Sequence, residues 1–572
     1  MENRLWKQLL NNDSLLSGWH LARREAYVDS LEENDLINAF ADDLNNNIKE
    51  IRRRLQSETY RPYALRRIDL PKGNLSVRPG SVVAISDKVV LLSIIRLVAP
   101  ILDEKLSQAV YSYRIKKTYD QSSMFLETDD IDFPFLKKKF ITSKIDPFEP
   151  WYGAWPIFDE ASRHAFLSEG YKYLAVSDIS AYFENIQHGF LKESLLRHLP
   201  HEPKIVNTLM SFLEFWSVKT DSGTKELRGI PQGTVISSVL GNIFLLPLDK
   251  KIQELAEEAG NIRYLRYMDD VRIFCKDMKD ARKAIFTMDT TIRSMHLNVQ
   301  TAKTIILSEY EGEISNYLID KRIDALSIIC DEVRDHISKK SLTQKLSSRY
   351  IHRLSDIARM EAGFGEQKII GSKKPLAGLS LRAFRRWTTA HMYLDSSIYI
   401  SRLLSEIKRN PDSRLTKRLI STAIRFPRKS IIISRMMEFL KSDYNIFPYQ
   451  EAEIIRSFRY MSQITNEVIE YCYKKLMKGS THFYIRIQCA FLLNRVVISH
   501  KKLRKIEILL PRVVNPHVQI AMYSLLMQHN GEKNAELVRS MLFHPNEHIR
   551  NVGKYYRNIK YNIESSDALI KH

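Results

Sequence analysis

The feature that most restricts the fold of this chain is a pair of adjacent aspartates, Asp269 and Asp270, between two short runs of strand-forming residues. Residues 262–265 precede the pair and residues 272–275 follow it, which predicts a β-hairpin with both acids at its turn. Adjacent carboxylates repel each other, and aspartate is a poor strand former. A bound cation explains the arrangement, because Mg²⁺ prefers one or two carboxylates together with phosphate oxygens of a substrate. The pair therefore indicates a metal site for phosphoryl transfer, provided that the fold supplies a third carboxylate.

A third carboxylate is predicted at the end of an earlier strand. Residues 173–177 are mainly apolar and lead directly into Asp178, a pattern typical of a buried strand that delivers an acid at its end. Between the acids, the turn Pro231-Gln232-Gly233 precedes an apolar run through residue 248, which predicts a buried helix. Asp178 and Asp269 are 91 residues apart, so only the tertiary structure can bring them together.

Together these segments resemble the catalytic motifs of reverse transcriptases. Asp178 matches the first catalytic motif, residues 229–238 match the Pro-Gln-Gly motif, and residues 267–270 match the metal-binding hairpin of the family. Residues 68–90 resemble the fingers motif of bacterial members, and residues 295–304 resemble the lysine motif that follows the hairpin. The motifs occur in the order that the family uses, so chance is a poor explanation for them.

The resemblance implies a role for each matching residue. Asp178 and Asp269 are expected to bridge two Mg²⁺ ions, for which Mn²⁺ can substitute. Asp270 is expected to support the site from beside them, and the backbone carbonyl of Ile179 to complete one coordination sphere. Phe183 is expected to block a ribose 2′-hydroxyl and thereby to select dNTPs. The residues expected to contact the incoming nucleotide are Lys72, Arg78, Phe183, Gln232, Gly233, Tyr267, Met268 and Lys303.

Some of these roles have simpler alternatives. Phe183 stands beside the equally bulky Tyr182, and the alternative is that Phe183 is only a core residue. Lys303 would be an ordinary solvated lysine near the end of a strand. The Pro-Gln-Gly motif continues as Thr-Val-Ile-Ser-Ser over residues 234–238, where many bacterial relatives have Ser-Pro-Leu-Ser-Pro, so contacts with a template strand stay undefined.

The charge of the chain indicates an anionic partner. The formal net charge is +20 and the pI is near 9.5. Residues 331–430 alone contain 22 Lys or Arg and 9 Asp or Glu, a net charge of +13. Neutralising phosphates gives affinity that does not depend on base sequence, as a polymerase with a moving product requires. We expect nucleic acid to bind this basic region; the alternative is a solvated helical surface.

Composition also restricts the cellular setting. No apolar run reaches the length of a membrane span, and no signal-peptide pattern opens the chain, so no membrane association is expected. Its cysteines are far apart and lack the paired spacing of zinc modules, which favours a reducing, cytoplasmic setting over a disulfide framework; the family resemblance implies that this cytoplasm is bacterial. The residues in question are Cys275, Cys330, Cys472 and Cys489.

The predicted fold class is α+β, a right-hand polymerase core of fingers and palm followed by an all-α half. Helical periodicity predicts an N-terminal extension over residues 1–60, and mixed strand and helix signals predict fingers and an antiparallel palm sheet over residues 61–325. Within them, residues 121–165 form a Pro- and aromatic-rich insertion. We expect it to be a surface loop packed by its own aromatic side chains; base stacking is the alternative. A basic, thumb-like helical region is predicted over residues 326–430.

The last predicted domain, residues 431–572, contains a weak repeat. Similar segments surround Ile485, Val518 and Ile549, which are 33 and 31 residues apart. This period is close to that of helical-hairpin solenoids and favours HEAT-like repeats, with a plain helical bundle as the alternative.

A polymerase core with a long helical C-terminal half resembles the abortive-infection and unknown-group reverse transcriptases of bacteria. The resemblance implies an Mg²⁺-dependent DNA polymerase that takes part in defence against phage. It leaves open template-independent synthesis, a protein primer and a homo-oligomer. One alternative is the RNA-templated reverse transcriptase of a mobile element, such as a retron or a group II intron. Another is a helical-repeat scaffold with a silent polymerase fold, which the three acids disfavour.

Overall fold

The structure is a computed structural model of the 572-residue chain. It describes residues 3–28, 34–72, 75–117, 147–217, 226–318, 398–409, 411–425, 429–461, 464–529 and 534–570, together with residues 328, 329, 332 and 352. Most of the basic region over residues 331–430, the first part of the insertion at residues 121–146, and Cys330 lie outside the described residues.

Helices occupy the described part of the N-terminal extension, as the periodicity predicted. They are α1 (Arg4–Leu9), α2 (Asn12–Val28), α3 (Asn34–Asp42) and α4 (Leu44–Gln56). Helix α4 is amphipathic and buries Ile48, Ile51 and Leu55. The first turn of α1 is fixed to the palm by Glu202, whose carboxylate accepts the backbone N–H groups of Leu5 (2.9 Å) and Trp6 (3.3 Å). This carboxylate satisfies N–H donors that a helix N-terminus leaves unpaired.

The fingers begin with an antiparallel hairpin of β1 (Arg66–Pro71) and β2 (Val77–Val82), in which Leu70 lies opposite Arg78. Helix α5 (Ile85–Asp103) follows and is buried along almost its whole length. It packs against α2 at close range, where a Cβ atom on Gly18 would lie 2.5 Å from the backbone oxygen of Val89. Only glycine permits this approach.

The described palm strands form an antiparallel sheet in the order β4-β5-β3-β6, which agrees with the predicted palm sheet. The strands are β3 (Tyr173–Asp178), β4 (Ile262–Tyr267), β5 (Asp270–Cys275) and β6 (Ile305–Ser308). The helices among them are α6 (Trp151–Leu167), α7 (Tyr182–Asn185), α8 (His188–His198), α9 (Pro203–Trp216), α10 (Val235–Phe244), α11 (Leu246–Ala259), α12 (Met278–Ser294) and α13 (Glu313–Leu318). Short 3₁₀ turns occupy Thr301–Lys303 and Glu309–Glu311.

From residue 398 onward the regular elements of the described chain are all helical. The α-helices are α14 (Ile398–Arg409), α15 (Ser413–Arg425), α16 (Lys429–Lys441), α17 (Pro448–Phe458), α18 (Asn466–Met477), α19 (Phe483–Leu493), α20 (His500–Leu509), α21 (Pro516–His529), α22 (Asn534–Leu542) and α23 (Glu547–Ile570). A 3₁₀ turn at Leu510–Arg512 follows α20. The repeat residues Ile485, Val518 and Ile549 are buried near the starts of α19, α21 and α23. The assignment to HEAT-like repeats and the four domain boundaries stay predictions.

The described helices include none that is long and apolar enough to cross a membrane. Their apolar side chains form a palm-side core and a C-terminal core. The C-terminal core also contains Ile68 and Val82 of the fingers hairpin and Ala39 of α3. The fingers hairpin is therefore packed against the C-terminal helices.

Candidate active site

The hairpin of β4 and β5 forms the turn that carries two of the predicted acids. Tyr267 lies opposite Asp270, and Met268 and Asp269 form the tip between them. Met268 has a φ of +56°, in the left-handed region that non-glycine residues rarely adopt. Its backbone is held on both sides, because its N–H donates to Ser112 Oγ (3.0 Å) and its carbonyl accepts a hydrogen bond from Arg266 Nη1 (2.9 Å). These bonds fix the direction in which the turn presents its carboxylates.

The structure brings the three predicted acids together. Strand β3 lies beside β5 with Asp178 opposite Asp270, and the negative charge of Asp178 acts on Asp269 at the tip of the turn. Burial, followed by the negative charge of Asp178, raises the pKa of Asp269 to about 7. Burial also raises the pKa of Asp270, and the guanidinium of Arg272 counteracts part of this effect. The three carboxylates therefore repel one another at one edge of the sheet.

The lysine motif is fixed to the same edge. The carbonyl of Asp178 accepts the N–H of Gln300 (2.7 Å), and the N–H of Ser180 donates to the carbonyl of Asn298 (2.8 Å). Lys303 then donates from Nζ to Asp178 Oδ2. Its ammonium group therefore lies at the acids, although the side chain is largely exposed. Ile179 pairs with Val299 through a β-bridge and buries its side chain.

A buried polar network beneath the turn was not found by sequence reasoning. Arg266 is completely buried and binds Asp249 through two hydrogen bonds, Nε to Oδ1 (2.7 Å) and Nη2 to Oδ2 (2.6 Å). Arg266 Nη1 also donates to Asn242 Oδ1 (2.9 Å), and the hydroxyl of Tyr264 donates to Asp249 Oδ1 (2.7 Å). The available signal was an arginine directly before the acidic turn, at an alternate strand position after Tyr264. The sequence did not show which residues would pair with it.

The described part of the predicted insertion is a helix, so the expectation of a surface loop was wrong there. Trp151, Trp155 and Phe158 recur at helical spacing, and α6 extends to Leu167. The Trp155 ring contacts the Tyr267 ring edge-on, with centroids 5.0 Å apart. Arg272 of β5 lies over Phe158, 4.4 Å from the ring centroid. The side chains of Trp155 and Phe158 therefore pack against the palm.

The two bulky residues after Asp178 have different surroundings. Ala181 has a positive φ, and the following helix α7 turns Tyr182 into the core, where its hydroxyl donates to the carbonyl of Gly241. Phe183 is only half-buried, and its carbonyl accepts the N–H of Ile230 (2.8 Å). The core position is therefore taken by Tyr182, and Phe183 lies beside the Pro-Gln-Gly turn.

The Pro-Gln-Gly turn lies next to strand β2 of the fingers hairpin. Gln232 forms a β-bridge with Gly80 of β2 and donates from Nε2 to Glu184 Oε1 (3.3 Å). Gly233 has a φ of +96°, which favours glycine at this turn. Lys72 and Arg78 are exposed near the hairpin end that lies between β1 and β2.

The acids suit a divalent cation by their chemistry. No group of three or more His, Cys, Asp or Glu side chains in the described residues has the arrangement of a formed metal site. However, burial and the nearby charge of Asp178 raise the pKa of Asp269, so its negative charge is costly without a cation. Oxygen donors of this kind are the ligands that Mg²⁺ and Mn²⁺ prefer. The residues therefore fit the predicted ions.

Comparison with known proteins identifies the region that carries this site. Residues 71–345 match the family described as reverse transcriptase (RNA-dependent DNA polymerase). The chain contains a reverse transcriptase domain. This match includes the three acids, the Pro-Gln-Gly turn and Lys303.

Similar proteins include one curated bacterial relative and several solved structures. Protein YkfC of Escherichia coli K12 is 22% identical over 204 residues, which are 36% of this chain and 45% of that protein. The chain thus matches less than half the length of this relative. Apo telomerase from Candida tropicalis, truncated from its C-terminal domain, is 15% identical over 43% of this chain and 50% of that chain, with a TM-score of 0.28. Telomerase from Candida albicans in complex with a telomeric RNA fragment is 11% identical over 73% and 67%, with a TM-score of 0.31.

Proposed function

We propose that this chain is a divalent-cation-dependent DNA polymerase that adds deoxynucleotides to a 3′-hydroxyl. The observation that carries the proposal is the meeting of Asp178, Asp269 and Asp270 on adjacent strands at one edge of the palm sheet. A site of clustered, mutually repelling carboxylates is poorly explained by stability alone, because it disfavours the folded state.

In the proposed reaction Asp178 and Asp269, with the backbone carbonyl of Ile179, would hold two divalent cations, and Asp270 would support the site from beside them. Bound Mg²⁺ or Mn²⁺ supplies activation of the 3′-hydroxyl and neutralises the charge that develops on the leaving pyrophosphate. Arg266 keeps the turn in place by binding the carbonyl of Met268. The ammonium of Lys303 lies beside Asp178 and is placed to give a proton or a positive charge to the pyrophosphate.

The remaining predicted residues are proposed to bind the nucleotide. Lys72 and Arg78 grip the triphosphate through charge-assisted hydrogen bonds. The base and sugar are proposed to lie against Phe183 and the Pro-Gln-Gly turn. The other residues proposed to line the nucleotide are Gln232, Gly233, Tyr267 and Met268.

Replacing Phe183 by alanine is expected to lower the preference for dNTPs over NTPs by about ten- to a hundredfold, because the ring would no longer exclude the 2′-hydroxyl. Single-nucleotide incorporation with matched dNTP and NTP pairs measures the ratio. Phe190→Ala is the control, since Phe190 is an exposed phenylalanine on α8. An unchanged ratio in Phe183→Ala would show that Phe183 is only a packing residue.

The binding of divalent cations is expected to weaken about tenfold per pH unit below pH 7. The pKa of Asp269 is raised to about 7, so below that pH its carboxyl must lose a proton before it can bind a cation. Titration of the purified protein with Mn²⁺ at pH 6, 7 and 8, followed by electron paramagnetic resonance, measures the affinity. Affinity that stays constant over this range would contradict the raised pKa of Asp269.

Use of a template is tested with nuclease-treated protein and each dNTP, with and without added RNA. Dependence of synthesis on RNA would identify an RNA-templated enzyme, as in mobile elements. DNA made without any RNA would identify template-independent synthesis, and DNA that stays attached to the protein after denaturation would identify a protein primer. Sequencing of nucleic acid that co-purifies with the chain names the template or the product.

The biological role that we propose is defence of a bacterium against phage. The support is the combination of a reverse transcriptase domain with a long helical C-terminal half, and the proposal includes a cytoplasmic homo-oligomer that binds nucleic acid through residues 331–430. Cells expressing the wild-type chain are expected to resist a phage, and the double variant Asp269→Ala/Asp270→Ala is expected to lose resistance. Resistance that survives this change would favour a scaffold without catalysis.

A further inference from the structure

We propose that the C-terminal helices position the fingers hairpin through Tyr63 and Glu547, and that this contact sets the affinity for the incoming dNTP. The proposal rests on the polymerase function proposed above. It gives the helical half of the chain a direct part in nucleotide binding, although these helices contribute none of the predicted site residues.

The apolar face of the fingers hairpin is covered by the C-terminal helices. Ile68 of β1 and Val82 of β2 are each 1% exposed and belong to the same core as α17, α19 and α21. Leu70 packs against that core as well. The hairpin is a two-stranded ribbon, and such ribbons are marginally stable without a packed face. Its position is therefore determined by the helices behind it.

A polar contact fixes the segment that leads into the hairpin. Tyr63 Oη donates to Glu547 Oε2 (2.7 Å), and Arg54 Nη2 forms an ion pair with Glu547 Oε1 (3.2 Å). The His548 ring lies against the Tyr63 ring, with centroids 4.6 Å apart. Glu547 is the first residue of α23, where the helix dipole also stabilises a negative charge.

The backbone of Tyr63 is also held by hydrogen bonds to residues of α5 and α9. Its N–H donates to Asp87 Oδ2 (2.8 Å), and its carbonyl accepts the indole N–H of Trp216 (2.8 Å). Arg67 of β1 donates from Nη2 to the carbonyl of the same Trp216 (3.0 Å). Tyr63 therefore connects the start of α23 to the root of β1 through hydrogen bonds.

The other side of the hairpin faces the nucleotide site. Gly80 of β2 bridges to Gln232, and Lys72 and Arg78 lie near the far end of the hairpin. A small rotation of the hairpin where β1 begins displaces its far end, and with it the cationic side chains of Lys72 and Arg78. Weakening the Tyr63–Glu547 contact should therefore weaken the grip on the triphosphate and leave the three acids unchanged.

The variants that test this are Tyr63→Phe, which removes one hydroxyl, and Glu547→Gln, which removes one charge and keeps the shape. The matched control is Glu467→Gln, since Glu467 lies in the first turn of α18 and forms an exposed ion pair with Lys441 of α16. We expect each test variant to raise the KM for dNTP about three- to tenfold, as for the loss of one hydrogen bond, with kcat nearly unchanged. The double variant should do little more than either single one.

Hydrogen exchange provides a second readout that does not require catalysis. Amides of residues 66–82 should exchange faster in Tyr63→Phe and Glu547→Gln than in the wild type, while the exchange of residues 262–275 should not change in these variants. In the control Glu467→Gln, the exchange of residues 66–82 should also stay as in the wild type. An active enzyme with an unchanged KM would overturn the proposal, even if its melting temperature fell. A wild-type chain that incorporates no nucleotide would refute the polymerase function. In that case, faster exchange of the hairpin amides in the variants would still support the Tyr63–Glu547 contact as the element that positions the hairpin. Unchanged exchange would overturn that role of the contact.

Discussion

Asp269→Asn is expected to lower nucleotide incorporation by about a thousandfold or more. Asparagine keeps the size of the side chain but removes the charge that is proposed to hold the divalent cations. A loss of several kcal/mol of transition-state stabilisation corresponds to this factor. The same loss is expected for Asp178→Asn, because Asp178 and Asp269 act on the same ions. Single-turnover incorporation at saturating dNTP and Mg²⁺ measures the rate of the chemical step.

The same substitution is expected to raise the stability of the cation-free protein at pH 8. The pKa of Asp269 is about 7 in the folded protein and near 4 in an unfolded chain, so the folded state binds more protons between these values. Stability in EDTA therefore falls as the pH rises from about 4 to about 7, and it stays reduced above pH 7. The uncharged amide introduced by Asp269→Asn has no such penalty. A melting temperature in EDTA that is lower than that of the wild type at pH 8 would contradict the repulsion among the acids.

Asp289→Asn is the matched control for both effects. Asp289 forms a surface ion pair with Arg293 within α12, and such pairs contribute little to stability. Incorporation and melting temperature should both remain close to wild type. If Asp289→Asn lost as much activity as Asp269→Asn, the loss would not be specific to the acids of the turn.

Arg266→Met is expected to lower the free energy of unfolding of the palm by about 3–5 kcal/mol, because it leaves the carboxylate of Asp249 buried without its partner. The guanidinium of Arg266 is completely buried and binds Asp249, Asn242 and the carbonyl of Met268. Exchange of the slowest amides in β4 and β5 reports this free energy. Arg263→Met, at an exposed position of the same strand, should change it by less than about 0.5 kcal/mol.

A second substitution separates stability from catalysis. Asp249→Leu combined with Arg266→Met replaces the buried ion pair by apolar side chains, which commonly restores stability. The carbonyl of Met268 would still lack its donor, so the left-handed turn would be less firmly held. We expect the double variant to regain most of the stability and to stay poor in incorporation. Recovery of both properties would show that Arg266 serves stability alone.

The meeting of the three acids was predictable from local patterns. Asp178, Asp269 and Asp270 each follow or interrupt a strand signal, and the structure places Asp178 and Asp270 on adjacent strands with Asp269 at the turn. The turn of Pro231, Gln232 and Gly233 was predicted equally well, because proline and glycine restrict or permit particular backbone angles whatever surrounds them. The choice between Tyr182 and Phe183 required the structure, since two neighbouring aromatic residues give the same sequence signal.

The secondary structure of the helical half was predictable from the sequence, but its contacts with the rest of the chain were not. Periodicity of apolar residues predicted helices beyond residue 430, and the repeat around Ile485, Val518 and Ile549 corresponds to helix starts. Nothing in the sequence indicated that these helices would cover the fingers hairpin, since β1 shows only an ordinary apolar face. The expected surface loop was wrong over α6, because Pro150 lies before the first turn of the helix and the helix tolerates Pro156.

The sequence by itself determined which residue types are proposed to bind a phosphate or a cation, because those preferences belong to the side chains and to short turns. Only the tertiary structure decided what holds them in place. Arg266 pairs with Asp249 across 17 residues and Tyr63 with Glu547 across 484. Partners so far apart are selected by the packing of whole elements, and a local pattern of apolar and polar residues carries no information on that choice.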